Sequence, residues 1–221
     1  RTCLDQPAAK LQARRGLGAG RFRLVAAGAT GVSRERREHG VMQRIFESSF
    51  PGSRVILESD FVAAHAGNFR GRPGILLHAG TGDFAYGVDR EGRSLRAGGW
   101  GYLLGDEGAG FGLGLSGIRA ALRALEDSGP GTTLTREILG FFRIRSLTEL
   151  KTVVYNRDFQ RRQIADFAPR VIRHAGRGDA LAGHLVEEAA FKMAGLVQPI
   201  LNGLSFERAD LALTGALFLK N

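Results

Sequence analysis

The sequence predicts an α/β fold in which strands and hairpins come first, a helical insertion follows, and one further strand comes after it. Short apolar runs ending in turn residues fill the chain up to residue 98. From residue 115 to 201, apolar residues instead recur at spacings of three and four, which is typical of helices. Glycine contributes 32 residues, crowded between Gly67 and Gly117, which indicates tight turns and close approach of the backbone to a ligand.

The first half of the chain alternates short strands with short helices. Ser33 is placed as a helix N-cap, and two Pro-Gly pairs mark turns. The segment between residues 84 and 97 has the alternating pattern of a hairpin around the turn 89–92. The predicted strands are 21–27, 54–57, 75–79, 84–88 and 94–97, and the predicted helices are 4–15, 33–48 and 61–66.

The second half is predicted to be helical, after a glycine-rich loop over residues 98–112. A short strand at 210–214 returns the chain to the sheet, and Gly215 follows it directly. The predicted helices are 115–125, 134–142, 147–155, 164–174 and 180–201.

Composition excludes several classes of protein. Cys3 is the single cysteine, so a disulfide framework and a cysteine-based metal site within one chain are excluded. No apolar run approaches the roughly 20 residues of a membrane span, and the first residues carry no signal peptide. We therefore expect a cytoplasmic protein with no membrane partner. The net charge of +9 comes mostly from scattered arginines, which favours no nucleic-acid partner.

Three short segments are candidates for chemistry. Gly80-Thr81-Gly82 follows a strand, and its amides and hydroxyl suit a phosphate, although three residues taken alone favour an ordinary hairpin turn. Asp60 lies at a strand end, as a presented carboxylate or as a helix N-cap. Asp106 and Glu107 lie between glycines, and the apolar residues before them predict a packed turn. The alternative for Trp100 is simple core packing. The five histidines show no zincin-like spacing.

Taken in order, these motifs resemble one family. The run GILLHAGTG at 74–82, AYG at 85–87 and GGWGYLLGDEG at 98–108 is similar to the N-acetylglucosamine kinase family, also called the BadF/BadG/BcrA/BcrD-type ATPase family, within the actin-like ATPase and sugar-kinase superfamily. The resemblance implies an actin-like, ribonuclease H-like fold of two domains with mixed sheets. Residues 1–70 would be the remainder of an incomplete first domain. Residues 71–221 would be the second domain, with a helical insertion.

The resemblance also implies an activity and a set of site residues. The activity is ATP-dependent phosphorylation of N-acetylglucosamine, or of a related amino-sugar such as glucosamine, at the 6-hydroxyl, with Mg²⁺ bridging ATP oxygens. Asp60 would bind the sugar and act as the general base, and Gly215 would lie at the adenosine side. Thr81 and Gly82 would bind phosphate. The residues that would bind the sugar in the loop are Gly99, Trp100, Gly101 and Asp106.

The chain departs from the family pattern at four points. Asp83 stands where the phosphate turn usually has serine, and Ala216 follows Gly215 where a second glycine is usual. No DGGGTK-like first phosphate turn precedes Arg21, and the family continues beyond the position of Asn221. We therefore expect a chain truncated at both ends, with little kinase activity as it stands. We also expect weakly protected strand residues, namely Leu24, Val25, Ile75 and Leu77.

Other functions stay open from the sequence. A non-catalytic sugar-binding or regulatory remnant is favoured by Asp83 and by the missing first phosphate turn. An ATPase activator of 2-hydroxyacyl-CoA dehydratases would need cysteines for a cluster between two subunits, and Cys3 lies outside such a context. A nucleic-acid-binding module is the weakest alternative. The sequence is also compatible with a homodimer.

Overall fold

The structure, a computed structural model, describes residues 22–32 and 37–219. The helix expected at 4–15 and the N-cap expected at Ser33 lie outside these residues. The chain divides into two compact units, Arg1–Gly71 and Arg72–Asn221, and each has its own sheet. Within the described ranges, no helix combines the length and the apolar character needed to cross a bilayer.

The first unit is built on a pair of parallel strands. Strand β1 (Leu24–Ala29) pairs with β2 (Arg54–Ser59), with helix α1 (Arg37–Ser49) between them and α2 (Asp60–Phe69) directly after β2. Gly28 allows α2 to pack closely, because a Cβ there would lie 2.5 Å from the Cβ of Ala63. Since the strands are parallel, the turn after β1 and the start of α2 lie at the same edge of the sheet.

The second unit contains a four-stranded mixed sheet with the order β5-β4-β3-β6. Its strands are β3 (Gly74–Ala79), β4 (Asp83–Val88), β5 (Ser94–Gly98) and β6 (Leu211–Thr214). The antiparallel pairing of β4 with β5 confirms the predicted hairpin. Strand β3 is antiparallel to β4 and parallel to β6, so the chain crosses over from one side of β3 to the other through the helical insertion.

The helical half follows the predicted periodicity, with three corrections. The helices are α3 (Gly110–Leu125), α4 (Leu134–Phe142), α5 (Leu150–Val154), α6 (Arg161–Ala165), α7 (Ala168–Ala175), α8 (Ala180–Gly203) and α9 (Ala216–Leu219). Helix α3 begins five residues before the predicted start. The single helix predicted for 147–155 is a 3₁₀ turn, Leu147–Glu149, that leads into α5. The single helix predicted for 164–174 is wrong, because Pro169 in the first turn of α7 has no N–H to continue the ladder of α6.

Helix α8 covers one face of the sheet and creates its core. Ile75, Leu77 and Ala85 from the strands form one cluster with Met193 and Ile200 from α8. The expectation that Ile75 and Leu77 are weakly protected is therefore wrong, since they are 1% and 5% exposed. A second cluster lies among α3, α4 and α7, and its largest fully buried side chains are Leu134, Ile138, Phe167 and Val171.

Candidate functional site

In the first unit, the site residue is Asp60, the first residue of α2. Its carboxylate Oδ2 accepts a hydrogen bond from Thr30 Oγ1 at 2.7 Å, and Oδ1 accepts one from the amide of Phe61 at 3.0 Å. The N-cap alternative for Asp60 is wrong, because the N-cap is Ser59. Thr30 follows β1 and was not singled out from the sequence, although its place in a Gly-Ala-Thr-Gly turn at a strand end is a signal for it. The two bonds fix a half-buried carboxylate at the carboxyl edge of the sheet.

In the second unit, Gly80–Thr81–Gly82, here called the glycine turn, connects β3 to β4. The amides of Gly110 and Phe111, at the start of α3, donate to the carbonyls of Gly80 and Thr81 at 2.9 and 3.0 Å. The amide of Gly80 donates to the carbonyl of Gly82. Within the described part of the chain, the amides of Thr81 and Gly82 have no acceptor. The turn therefore presents two neighbouring N–H groups that can donate hydrogen bonds to an anion.

The turn at Gly215 lies at the same edge of the same sheet. Because β3 and β6 are parallel and His78 pairs with Thr214, both strands end side by side. His78 Nδ1 lies 3.2 Å from Thr214 Oγ1, which links the two strand ends. Gly215 has φ +100°, and a Cβ there would lie 2.2 Å from the carbonyl oxygen of Ala79. Only glycine fits this approach, so the turn is shaped by the absence of a side chain.

Residues 99–109, here called the tryptophan loop, connect β5 to α3. Gly99 and Gly101 have φ of 70° and 84°, so the loop depends on left-handed glycines. Trp100 is 66% exposed, which makes the core-packing alternative wrong, and its ring lies 5.3 Å from the guanidinium carbon of Arg96. The prediction of a packed turn is also wrong for Leu103 and Leu104, which are about four-fifths exposed. The loop presents apolar surface outward.

Asp106 joins the tryptophan loop to the glycine turn. Its Oδ1 accepts a hydrogen bond from the amide of Asp83 at 3.1 Å, while Oδ2 accepts none from the described residues. A Cβ on Gly82 would lie 2.6 Å from Oδ2, so the carboxylate lies directly over that glycine. Asp106 also has φ +59°, an uncommon conformation for a residue with a side chain. One oxygen of Asp106 thus supports the turn, and the other remains available to a ligand.

Asp83 is a site residue whose part sequence reasoning missed. Its carboxylate lies against the tryptophan loop, where Oδ2 accepts a hydrogen bond from the amide of Gly108 at 3.0 Å. It is 4% exposed. Burial raises the pKa of Asp83 to about 6, and the charges of Asp106 and Glu107 also raise it, against hydrogen bonds from the amides of Gly108 and Ala109 that lower it. The two-residue alternation of β4, which puts Asp83 on the face of Ala85, was the signal for its direction.

The structure thus brings together Thr81, Gly82, Asp106 and Gly215 within the second unit, whereas Asp60 belongs to the first. Trp100 lies on the same loop as Asp106 but contacts Arg96. In the described residues, no group of three histidine, cysteine, aspartate or glutamate side chains is placed to hold a metal ion. The second unit offers two amide donors, the supported carboxylate of Asp106 and an exposed aromatic ring, and the first unit offers the carboxylate of Asp60.

Comparison with known proteins gives consistent names. The sequence profile of the BadF/BadG/BcrA/BcrD ATPase family matches residues 5–221. An N-acetylmuramic acid/N-acetylglucosamine kinase of Clostridium acetobutylicum is 32% identical over 193 residues, which cover 87% of this chain and 62% of the relative. An N-acetyl-D-glucosamine kinase of Dictyostelium discoideum is 28% identical over 84% of this chain and 59% of the relative. The chain therefore spans about three-fifths of the length of these relatives.

Solved structures give the same fold. A Chromobacterium violaceum protein assigned as an N-acetylglucosamine kinase matches with a TM-score of 0.74 and 28% identity, over 97% of this chain and 76% of that one. A Porphyromonas gingivalis protein of the same assignment matches with a TM-score of 0.70 and 19% identity, over 97% and 81% of the two chains. The expected actin-like ATPase fold with mixed sheets is confirmed.

Proposed function

Because this chain belongs to the BadF/BadG/BcrA/BcrD ATPase family, we propose that the protein transfers phosphate from ATP to the 6-hydroxyl of N-acetylglucosamine or a related amino-sugar such as glucosamine. The names of the curated relatives support an amino-sugar as the acceptor. The observation that carries the proposal is the glycine turn, whose two available amides lie beside the Gly215 turn at one sheet edge and under a supported carboxylate.

The ATP side of the proposal uses backbone groups. The amides of Thr81 and Gly82 donate to phosphate oxygens, and the Thr81 hydroxyl, which is exposed, is a further donor. The N-terminus of α3 lies beside the turn and has no acidic side chain in its first turn, so its partial positive charge favours an anion there. Gly215 leaves room for the adenosine. Mg²⁺ carried with ATP would supply further neutralisation of phosphate charge.

The sugar side uses the tryptophan loop. The exposed ring of Trp100 offers an apolar surface to a sugar face, and Gly99 and Gly101 set the path of the backbone beside it. Asp106 Oδ2 accepts a hydrogen bond from a sugar hydroxyl while Oδ1 remains on the amide of Asp83. A carboxylate that accepts from both partners orients the sugar without losing its support.

Asp60 is the proposed general base. In the reaction the 6-oxygen of the sugar forms a bond to the γ-phosphorus, the bond from that phosphorus to the ADP oxygen breaks, and the hydroxyl proton moves to the Asp60 carboxylate. The hydrogen bonds from Thr30 and the amide of Phe61 hold this carboxylate in one orientation. Such positioning is what proton transfer at a strand end requires.

Asp60→Asn tests the function and the base together. The protein and the variant are assayed for ATP-dependent phosphorylation of N-acetylglucosamine, glucosamine and N-acetylmuramic acid, and sugar binding is measured by calorimetry. We expect turnover to fall by about 10²–10⁴-fold, with sugar affinity nearly unchanged, because the amide keeps the shape but lacks basicity.

Asp158→Asn is the matched control, since Asp158 is exposed and its side chain makes no hydrogen bond or ion pair within the described residues. It should keep the turnover of the parent protein. Sugar binding without turnover in the parent protein would instead favour the non-catalytic remnant. Turnover of Asp60→Asn within a few-fold of the parent would refute the role of Asp60.

A further inference from the structure

Asp83 is a buried carboxylate without a cation. Two carboxylates are buried among the described residues, Asp83 and Asp89, at 4% and 6% exposure. Asp89 pairs with Arg93 at 2.6 Å. Asp83 forms no ion pair with any described residue, and its oxygens are met by amides alone. A buried charge is costly unless it is both paired and hydrogen-bonded, and Asp83 has only the hydrogen bonds.

Each polar group of Asp83 contacts the tryptophan loop. The carbonyl accepts from the amide of Gly99 at 2.8 Å, at the start of the loop. The amide donates to the Asp106 carboxylate at 3.1 Å, and Oδ2 accepts from the amide of Gly108 at 3.0 Å, near the end of the loop. Because Asp83 directly follows Gly82 in the chain, one residue ties both ends of the loop to the glycine turn.

We propose that Asp83 is a positioning residue of this kinase, whose ionised carboxylate holds the tryptophan loop in register with the glycine turn, so that sugar and phosphate are presented at a fixed spacing. The proposal rests on the proposed function, because it assigns the sugar to the loop and the phosphates to the turn. Asp83 acts through Gly108 and Asp106 and touches neither substrate.

The surroundings of Asp83 make its charge sensitive to pH. Asp106 and Glu107 face it from the loop, and Lys192 on α8 pairs with Glu107 at 3.6 Å. The first turn of α3 brings no acidic side chain. Burial, followed by the charge of Asp106, raises the pKa of Asp83 to about 6. Below that pH the carboxyl becomes neutral, and its hydrogen bond to the loop loses the assistance of the charge.

Ionisation of Asp83 lowers the stability of the folded protein. A positioning role for Asp83 can therefore be distinguished from a merely structural one by comparing stability with sugar binding. A raised carboxyl pKa means that the folded state favours the protonated form, so ionisation of Asp83 destabilises the fold as pH rises through about 6. Asp83→Asn removes that cost. We therefore expect the variant to melt at the same or a higher temperature at pH 8 and yet to bind the sugar less well.

The test compares the protein with Asp83→Asn from pH 5 to pH 8. At pH 8 we expect the KM for N-acetylglucosamine to rise about tenfold in the variant, since a charge-assisted hydrogen bond becomes a neutral one. The difference should disappear as pH falls through about 6, where Asp83 is itself neutralised. Asp89→Asn, directly after the other end of β4, should show no pH-dependent change in KM. An unchanged KM and pH profile in Asp83→Asn would overturn the proposal.

Trp100 provides a readout that does not depend on turnover. It is the single tryptophan of the chain and lies in the loop that Asp83 anchors. We expect its fluorescence anisotropy to change with a midpoint near pH 6 in the parent protein and to show no such transition in Asp83→Asn. If the parent protein phosphorylates no amino-sugar, the proposed function fails, while the fluorescence still decides whether Asp83 anchors the loop. A transition of equal size in both proteins would refute the anchoring.

Discussion

At the scale of single residues, the candidate site depends on two neighbouring carboxylates with different surroundings. Asp83 is buried and meets only amides, while Asp106 keeps one oxygen on the amide of Asp83 and the other available. The glycine beneath them, Gly82, has no room for a side chain because of Asp106. A ligand on the turn would therefore contact Asp106 directly, and Asp83 would affect that ligand only through its contacts with the loop.

Asp106 should affect sugar binding more than ATP binding. Asparagine tolerates the left-handed backbone at this position and can still accept the amide of Asp83. Asp106→Asn weakens only the contact with a sugar hydroxyl, because the charge is lost. We expect the sugar affinity to fall by about 1.5–3 kcal/mol with the ATP affinity and melting temperature nearly unchanged. Calorimetry measures the two affinities, and thermal unfolding measures the melting temperature.

Glu107→Gln is the control for that substitution, because Glu107 is an exposed neighbour that pairs with Lys192 at 3.6 Å. It should leave sugar affinity intact. Should Asp106→Asn lower the melting temperature and spare the sugar, Asp106 would be a support of the turn alone.

At the scale of elements, helix α3 shows where sequence reasoning reached its limit. The glycine-rich start was predicted as loop, since glycine disfavours helices. The structure reverses this because the helix packs against backbone at glycine positions. A Cβ on Gly112 would lie 2.3 Å from the Glu107 carbonyl, and one on Gly114 would lie 2.1 Å from the Ile164 carbonyl. The contact of Gly114 with Ile164 joins segments distant in sequence, and local periodicity carries no information about it.

Helices α4, α7 and α8 are tied together by a network of polar side chains. Asp179 is the N-cap of α8, and its Oδ1 accepts the amide of Ala182 while Oδ2 accepts the hydroxyls of Thr132 and Thr133. Burial opposes ionisation of Asp179, but these hydrogen bonds outweigh it and lower its pKa to about 2. In the same network burial opposes ionisation of Glu137, yet hydrogen bonds from His174 and Arg170 lower its pKa.

Asp179 should make this part of the fold sensitive to acid. A carboxyl pKa lowered from 3.8 to about 2 stabilises the folded state above pH 4, and that stabilisation is lost as pH falls from about 4 to 2. Asp179→Asn retains a good N-cap but loses the charge. We expect it to lower the free energy of unfolding by about 1–2 kcal/mol at pH 7, allowing for solvent screening of a half-buried group. Urea unfolding at several pH values measures this.

The difference between parent and variant should shrink as pH falls toward 2. Asp166→Asn is the control, since Asp166 is exposed and lies 3.8 Å from Arg162 in a surface pair. It should change the unfolding free energy by a few tenths of a kcal/mol at most. A constant difference for Asp179→Asn at all pH values would show that the charge of Asp179 contributes nothing.

At the scale of the whole molecule, the sequence determined the strand order along the chain and the location of the motifs, but not their contacts. The parallel pairing of β3 with β6 joins residues about 136 positions apart, His78 and Thr214, and so was accessible only through the resemblance. The exposure of Trp100 was likewise hidden, because hydrophobicity favours burial and says nothing of a loop that extends outward. Thr30 was missed because its place in a turn at a strand end is a weaker signal than a charge or a metal-ligand spacing.

The net charge of +9 should act on ATP and not on a neutral sugar. A positive protein attracts an anionic substrate over distances that salt shortens to about 10 Å at 0.1 M ionic strength. We expect kcat/KM for ATP to fall several-fold between roughly 20 and 200 mM KCl. The value for N-acetylglucosamine, measured at saturating ATP, should stay nearly constant and serves as the internal control. Equal salt sensitivity for the two substrates would contradict steering by the net charge.

The hydrogen bonds of Asp83 also have a consequence for recombination between relatives and for protein engineering. Residues 80–111 form one hydrogen-bonded unit, because bonds through Asp83 and through the first amides of α3 join the glycine turn to the tryptophan loop and to the helix. A chimera that exchanges the turn alone, or the loop alone, with a relative would mismatch Asp83 against a foreign partner. Recombination that keeps the 32-residue piece whole preserves every one of those bonds, so specificity in this chain should be inherited as a block.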